Sequence, residues 1–199
     1  MKKSVVFSAL AIVLVLFLSN NKLFAQFEQK FTLQLSGGYV QSLSPDFFTS
    51  VFENGFSFDA GAQYNFSRSL SFVVLAKYAK FLSDFESLSG VSEIKYNQIG
   101  LSLCPKYRFI PSSKVNPYMY GGFSLNYISF NLIGLPGYTQ TSPASFGFTG
   151  GLGIDFRVSD NFALFVQGGY NAFSSKRDWI SSVYTQIGAN ISMFKSKSL

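Results

Sequence analysis

The chain has 199 residues, enough for one domain; 47% of them are hydrophobic and only 13% are charged, about half of the charged share that soluble domains carry. It has no histidine and one cysteine, which excludes histidine-based catalysis, histidine metal ligands and an internal disulfide. The net charge of +6 includes three lysines and no acid within the first 25 residues, and without these lysines it is +3, which argues against nucleic-acid binding.

The N-terminal region has the features of a secretory signal peptide. Two lysines precede an apolar run over residues 5–18, and Leu-Phe-Ala at residues 23–25 forms a cleavage site before Gln26, as in exported proteins. A permanent anchor helix is the alternative, but the run is shorter than the roughly 20 apolar residues that span a bilayer. The sequence therefore predicts a cleaved signal peptide over residues 1–25.

Beyond residue 25 the chain alternates between apolar and polar residues, the pattern of strands with one apolar and one polar face. In the first such segment Phe31, Leu33 and Leu35 share one face, and polar residues occupy the other. Eight strand segments follow one another, over residues 31–39, 56–66, 70–81, 94–109, 118–127, 146–157, 162–171 and 183–193. The segment 70–81 is mostly apolar on both faces, with Lys77 and Lys80 as the exceptions.

The connections between these segments alternate in length. Short ones lie at residues 67–69, 111–116 and 159–161, and long ones lie at residues 41–54, 83–91, 129–143 and 172–181. An even number of strands of about 10 residues, with short turns at one end and long loops at the other, is typical of small outer-membrane barrels. The predicted fold is all-β, an eight-stranded antiparallel up-and-down transmembrane β-barrel over residues 26–199.

The composition of the polar faces predicts which side of the wall meets lipid. These faces consist mostly of Gly, Ser, Thr, Asn and Gln, whereas a soluble barrel, the alternative, would carry many Lys and Glu on its wet exterior. We therefore expect the apolar faces to point into the bilayer and the polar faces to fill a narrow lumen.

A few charged residues lie on the faces that are predicted to line the lumen. Because an unpaired charge is costly in a dry interior, we expect them to form a structural network of salt bridges and hydrogen bonds. A proton or ion path is the functional alternative. The predicted members are Asp59, Lys77, Lys106, Arg108, Asp155 and Arg157.

A cluster of glycines at residues 147–153 invites comparison with a nucleotide-binding loop. Counting from Gly151 and Gly153, however, the sixth position of a G-x-G-x-x-G motif is Phe156, and no helix is predicted to follow, so a phosphate would have no helix N-terminus to bind. Glycine here makes room inside a crowded strand. The sequence predicts no cofactor, no metal site and no catalytic residue.

Three stretches, IGLSLCPKYRF, NPYMYGGFSLNY and GFTGGLGIDFRVSDNFALFVQGGYN, resemble the outer-membrane protein beta-barrel domain family, the small eight-stranded barrels of the OmpA and OmpX type. The resemblance covers nearly all of residues 27–194. It implies a Gram-negative cell outer membrane, and the Ala-Gln at the cleavage site is similar to exported Bacteroidetes proteins. Family members usually end in an aromatic residue that the barrel-insertion machinery recognises, whereas here Phe194 is followed by five residues.

These observations favour an integral outer-membrane protein that is not an enzyme and has a structural or surface-interaction role. The expected partners are outer-membrane lipid and lipopolysaccharide, the barrel-insertion machinery, and an extracellular partner bound through the long loops, such as residues 129–143. A small pore or a channel for hydrophobic compounds is the main alternative, and a lipid-modifying enzyme with the same number of strands is another.

Overall fold

The computed structural model describes residues 31–83, 93–133, 139–141, 143–159, 161–175 and 178–193. The predicted signal peptide and Phe194 lie outside this part of the chain. The described residues form nine strands and one short helix. In chain order these are β1 (Phe31–Ser44), α1 (Asp46–Val51), β2 (Asn54–Asn65), β3 (Leu70–Phe81), β4 (Glu93–Arg108), β5 (Val115–Ile133), β6 (Thr139–Thr141), β7 (Ser145–Arg157), β8 (Phe162–Ser174) and β9 (Trp179–Ser192).

Eight long strands close into one antiparallel barrel, as predicted. The hydrogen-bonded order is β4-β3-β2-β1-β9-β8-β7-β5, and β4 also pairs with β5, which completes the ring. Neighbouring strands are consecutive along the chain except for β1 with β9, which join the two ends of the barrel domain, and for β5 with β7. The three-residue strand β6 lies between these two in sequence and extends the sheet beside residues 129–131 of β5.

Tight turns define one end of the barrel, which we call the turn end. After β2 the amide of Phe66 donates to the carbonyl of Leu70, and the amide of Leu70 donates to Oγ of Ser67. After β7 the amide of Val158 likewise donates to the carbonyl of Phe162. Small polar residues thus close these hairpins locally, which sets the register of the strands on either side.

The opposite end, which we call the loop end, contains more regular structure than predicted, because β1, β5, β8 and β9 extend into the predicted long loops and β6 lies within one of them. β4 and β5 have 16 and 19 residues, so that residues 129–133, predicted as loop, continue the β5 strand. The connection after β1, also predicted as loop, contains the six-residue helix α1, which is too short to show helical periodicity in the sequence. In the described residues no helix has the length and apolar character needed to cross a membrane.

The faces of the wall have the predicted orientation. Along β1 exposure alternates residue by residue, and Leu35 is 46% exposed whereas its neighbour Gln34 is 3% exposed. The exposed apolar belt continues around the outside on every long strand, with Leu101, Leu152 and Ile187 among its members. The soluble alternative, in which the apolar residues would gather in the middle of the barrel, is therefore wrong.

Aromatic rings contact one another on the outer face at the turn end. Phe31 and Tyr64 meet edge to face at 5.6 Å between ring centroids, Tyr64 meets Phe66 at 4.8 Å, and Phe66 meets Phe72 at 5.6 Å. Such rings favour the boundary between hydrocarbon and headgroups. They mark the level at which this end of the barrel leaves the apolar belt.

Candidate functional site in the barrel lumen

Four aromatic side chains form the middle layer of the lumen, and each lies opposite a glycine on the neighbouring strand. A Cβ added to any of these glycines would come closer than 3.0 Å to the paired ring or its hydroxyl. Glycine is therefore needed at these positions because the aromatic ring, together with a backbone carbonyl of a neighbouring strand, occupies the space of the missing side chain. The pairs are Tyr118 with Gly153, Tyr120 with Gly151, Phe165 with Gly188 and Tyr184 with Gly169.

The tyrosine hydroxyls of this layer are bonded to one another and to threonine. Those of Tyr120 and Tyr184 share a hydrogen bond of 2.8 Å, and Thr149 Oγ1 lies 3.0 Å from Tyr184 Oη. These contacts connect β5, β7 and β9. The layer therefore ties together strands on different sides of the barrel.

A second chain of hydrogen bonds begins at Tyr118. Its hydroxyl donates to Gln167 Oε1 at 3.0 Å, Gln167 Nε2 donates to Gln186 Oε1 at 2.7 Å, and Gln186 Nε2 donates to Ser57 Oγ at 3.0 Å. All four side chains are buried, and they belong to β5, β8, β9 and β2. Because the polar groups satisfy one another, the interior can be filled without leaving these atoms unpaired.

Asp155 is the centre of the ionic cluster on the turn-end side of this layer, which we call the Asp155 cluster. Lys106 Nζ lies 3.2 Å from Asp155 Oδ2, and Arg108 Nε donates to the same oxygen at 3.2 Å. Asn190 Nδ2 donates to Asp155 Oδ1 at 3.0 Å. Lys106 also lies over the ring of Tyr118, 3.6 Å from its centroid, so the lysine charge contacts both an anion and the face of an aromatic ring.

A second ion pair lies on the opposite wall of the barrel. Asp59 and Lys77 are direct partners in the β2–β3 register, and Lys77 Nζ lies 3.8 Å from Asp59 Oδ2. The same ammonium group lies 3.5 Å from the ring centroid of Tyr184. The distance makes this a looser pair than those of the Asp155 cluster.

The remaining residue of the predicted network lies at the mouth of the barrel. Arg157 is the last residue of β7 and is exposed; its Nη2 donates to the carbonyl of Pro111 at 3.3 Å. Alternation assigns it to the inward face, but the strand ends there, so its side chain reaches the rim and stays outside the buried cluster. The structural role of the network as a whole stays a prediction.

Aromatic side chains close the loop end of the lumen from within. Phe48 of α1 meets Tyr96 at 4.7 Å, Phe52 at 5.2 Å and Phe81 at 5.6 Å between ring centroids. All four rings are buried, and we call them the aromatic plug. Sequence reasoning missed this feature, although β3 carries a signal for it, since the inward face of this strand ends in the apolar residues Ala79 and Phe81.

A polar cavity of about 290 Å³ opens at the turn end, below the Asp155 cluster. Asn65, Asn116 and Asn190 contribute to its wall, and serines of the short connections contribute to its rim. The charged residues that line it are Arg68, Arg108, Lys114, Asp155 and Arg157. Two of these cations, Arg68 and Lys114, were not among the predicted lumen residues because they lie in the short connections and not on strands.

Comparisons with known proteins agree with this architecture. The model of the outer membrane protein beta-barrel domain family matches residues 8–193. Neisserial surface protein A has 22% identity and a TM-score of 0.63, and the match covers 84% of this chain and 100% of that one. A major outer membrane protein of Thermus thermophilus has 15% identity and a TM-score of 0.58 over 82% of this chain and 98% of that one.

The attachment invasion locus protein of Yersinia pestis has 15% identity and a TM-score of 0.51, over 84% of this chain and 100% of that one. At these identities the three structures show a shared fold. No curated protein sequence matches the chain.

Proposed function

Because the chain belongs to the outer membrane protein beta-barrel domain family and therefore resides in the outer membrane, we propose that it acts there as a closed, non-catalytic barrel. In this role the wall anchors the protein in lipid, the packed lumen makes it rigid, and the loop end is presented to a partner outside the cell. The turn end then faces the periplasm, as short turns do in bacterial outer-membrane barrels.

The observation that carries the proposal is the packing of the lumen at three successive levels. The Asp155 cluster lies toward the turn end, the middle layer of aromatic rings follows, and the aromatic plug closes the loop end. Buried residues of every long strand contribute to this interior. An eight-stranded barrel is just wide enough for its side chains to fill, and these side chains favour a structural role over passage of solutes.

The loop end supports the surface-interaction part of the proposal. A membrane-crossing strand needs about 9–11 residues, whereas β4 and β5 have 16 and 19 residues, and both extend at the loop end with Glu93 opposite Ile133. On α1 the ring of Phe47 is 79% exposed. The paired strand ends that project here and the exposed aromatic ring at the same end of the barrel offer a partner both backbone and apolar contacts.

Conductance distinguishes the closed barrel from the channel alternative. Purified full-length protein is inserted into planar bilayers in about 1 M KCl, and the expected result is no steady ion current. Stable unitary current steps that change when Arg157→Glu alters the charge at the mouth of the lumen would contradict the closed barrel and favour a pore.

A cellular experiment tests the structural role. We expect cells that lack the protein to become more sensitive to detergent, and the wild-type chain to restore resistance. Complementation by a variant that carries Phe47→Ser then separates the two roles, because Phe47 is exposed on α1 and is not part of the barrel interior. If loss of the protein changes neither detergent resistance nor binding of the cells to any surface, the proposed role is wrong.

A further inference from the structure

The turn-end cavity has the construction of an anion site. Its volume of about 290 Å³ corresponds to roughly ten water molecules at about 30 Å³ each. The Asp155 cluster closes it on the inside, and the serine-rich short connections surround its opening. A small polar molecule can enter from the turn end without passing through the middle layer of the lumen.

Among the described residues that line this cavity, positive charge exceeds negative charge even when Arg68 is left out. Among the described residues that line it, four are cations and one, Asp155, is an anion. That carboxylate already contacts Lys106 and Arg108, so it offsets little of the positive charge that Lys114 and Arg157 add at the rim. A recess lined mainly by one sign of charge, with low-dielectric walls, concentrates the electrostatic potential and attracts ions of the opposite sign.

Several charged donors around the cavity have spare hydrogen-bonding capacity. Arg108 uses Nε for Asp155 and Nη1 for Asn65 and Ser71, and within the described part of the chain its Nη2 has no acceptor. Within the same part of the chain, the guanidinium group of Arg157 makes one hydrogen bond, through Nη2. Guanidinium groups bind tetrahedral and planar oxyanions through pairs of N–H donors, so these two arginines suit a ligand with several anionic oxygens.

We propose that the turn-end cavity binds a small phosphate-bearing anion, which Arg108 contacts from the inside and Lys114 and Arg157 contact from the rim. The phosphate can belong to a soluble periplasmic compound or to the headgroup of an anionic lipid in the inner leaflet. The site goes beyond the proposed structural role and needs neither a partner at the loop end nor passage through the lumen.

Titration calorimetry with pyrophosphate tests the site. Full-length protein in a non-ionic detergent at low ionic strength is expected to bind pyrophosphate saturably at one site. The double variant Lys114→Gln with Arg157→Gln removes two rim cations from exposed positions, and its affinity is expected to fall at least about tenfold. Raising the salt to about 0.5 M is expected to weaken binding as well, because the Debye length shortens to a few ångströms.

A lysine at the loop end provides the matched control. Lys80 lies near the end of β3, far from the short turns, and pairs with Phe56, so Lys80→Gln removes the same kind of charge without touching the cavity. Its affinity for pyrophosphate is expected to equal that of the wild type. Every variant is checked for the heat-sensitive gel mobility of a folded barrel before titration.

Lipid nanodiscs distinguish the two sources of the phosphate. If a lipid headgroup occupies the site, discs that contain phosphatidylglycerol will lower the apparent affinity for pyrophosphate relative to discs of phosphatidylcholine alone. If the ligand is soluble, the two kinds of disc will give equal affinities. Absence of saturable binding to the wild type up to about 10 mM pyrophosphate, or wild-type affinity in the folded double variant, would overturn the proposal.

Discussion

The turn end and the loop end of the lumen are closed by different chemistry. At the turn end Asp155 holds Lys106 and Arg108 at 3.2 Å, and these residues belong to the barrel strands themselves. At the loop end the aromatic plug includes Phe48, which is carried by a six-residue helix between two strands. The first closure joins parts of the wall, whereas the second attaches a separate element to it.

The two closures therefore contribute differently to the stability of the folded barrel. Removing one partner of the Asp155 cluster leaves an unpaired charge in the barrel interior. Because the cluster residues lie on the barrel strands, this charge destabilises the whole folded barrel. Removing a ring from the plug loses apolar contact area, and α1 can respond by leaving its place while the strands stay paired. We therefore expect the turn end to be part of the global folding unit and the loop end to open locally.

The largest expected effect comes from Asp155→Asn, which keeps the shape of the side chain but leaves Lys106 and Arg108 without a counter-charge. The free energy of unfolding should fall by about 3–5 kcal/mol, the usual cost of breaking a buried ion pair. Urea unfolding in lipid vesicles, followed by gel mobility, measures it. Asp178→Asn is the control because Asp178 is exposed. A loss below about 1 kcal/mol would show that the cluster is not needed for folding.

A smaller effect is expected from Gly153→Ala in the middle layer, between the two closures. The new Cβ would overlap the ring of Tyr118, and overpacking of this kind costs about 1–3 kcal/mol. Gly121→Ala is a matched control because its Cβ would have no neighbour closer than 3.7 Å. In a Tyr118→Leu background the cost of Gly153→Ala should shrink. Equal costs in both backgrounds would contradict the role of the ring.

The smallest effect on global stability is expected from Phe48→Ala at the loop end. We expect the free energy of unfolding to change by no more than about 1 kcal/mol, while amide hydrogen exchange over residues 46–52 becomes at least about tenfold faster because α1 detaches. Its neighbour Phe47 is 79% exposed whereas Phe48 is 6% exposed, so Phe47→Ala should leave exchange unchanged. If Phe48→Ala lowered the free energy of unfolding as much as Asp155→Asn does, the proposed contrast between the two ends would be wrong.

Much of the fold could be predicted from the sequence because it depends on a local pattern. Alternation such as that of Gln34 and Leu35 assigns residues to faces without any knowledge of neighbouring strands. The scarcity of charge on the polar faces then indicates which face meets lipid. The helix α1 and the extension of β5 to Ile133 were not predictable in this way, because both depend on contacts made at the loop end.

The candidate sites were predictable only in part. Alternation assigned Asp155, Lys106 and Arg108 to the lumen, but it could not show that they meet. Their strands β7 and β4 are separated in the sheet by β5, and the contact forms across the interior of the closed ring. The cavity also includes Arg68 and Lys114 from the short connections. Alternation along a strand cannot predict where the side chains of turn residues lie.

The sequence by itself determined the number of long strands, their alternating faces, the lipid-facing side of the wall and the family. These properties follow from a period of two residues and from composition, and both can be read one segment at a time. Only the tertiary structure decided which charges pair, which glycine receives which ring, and that the two ends close differently. Those outcomes depend on how far each strand is shifted against its neighbours when the sheet closes, and that shift is a property of the whole ring.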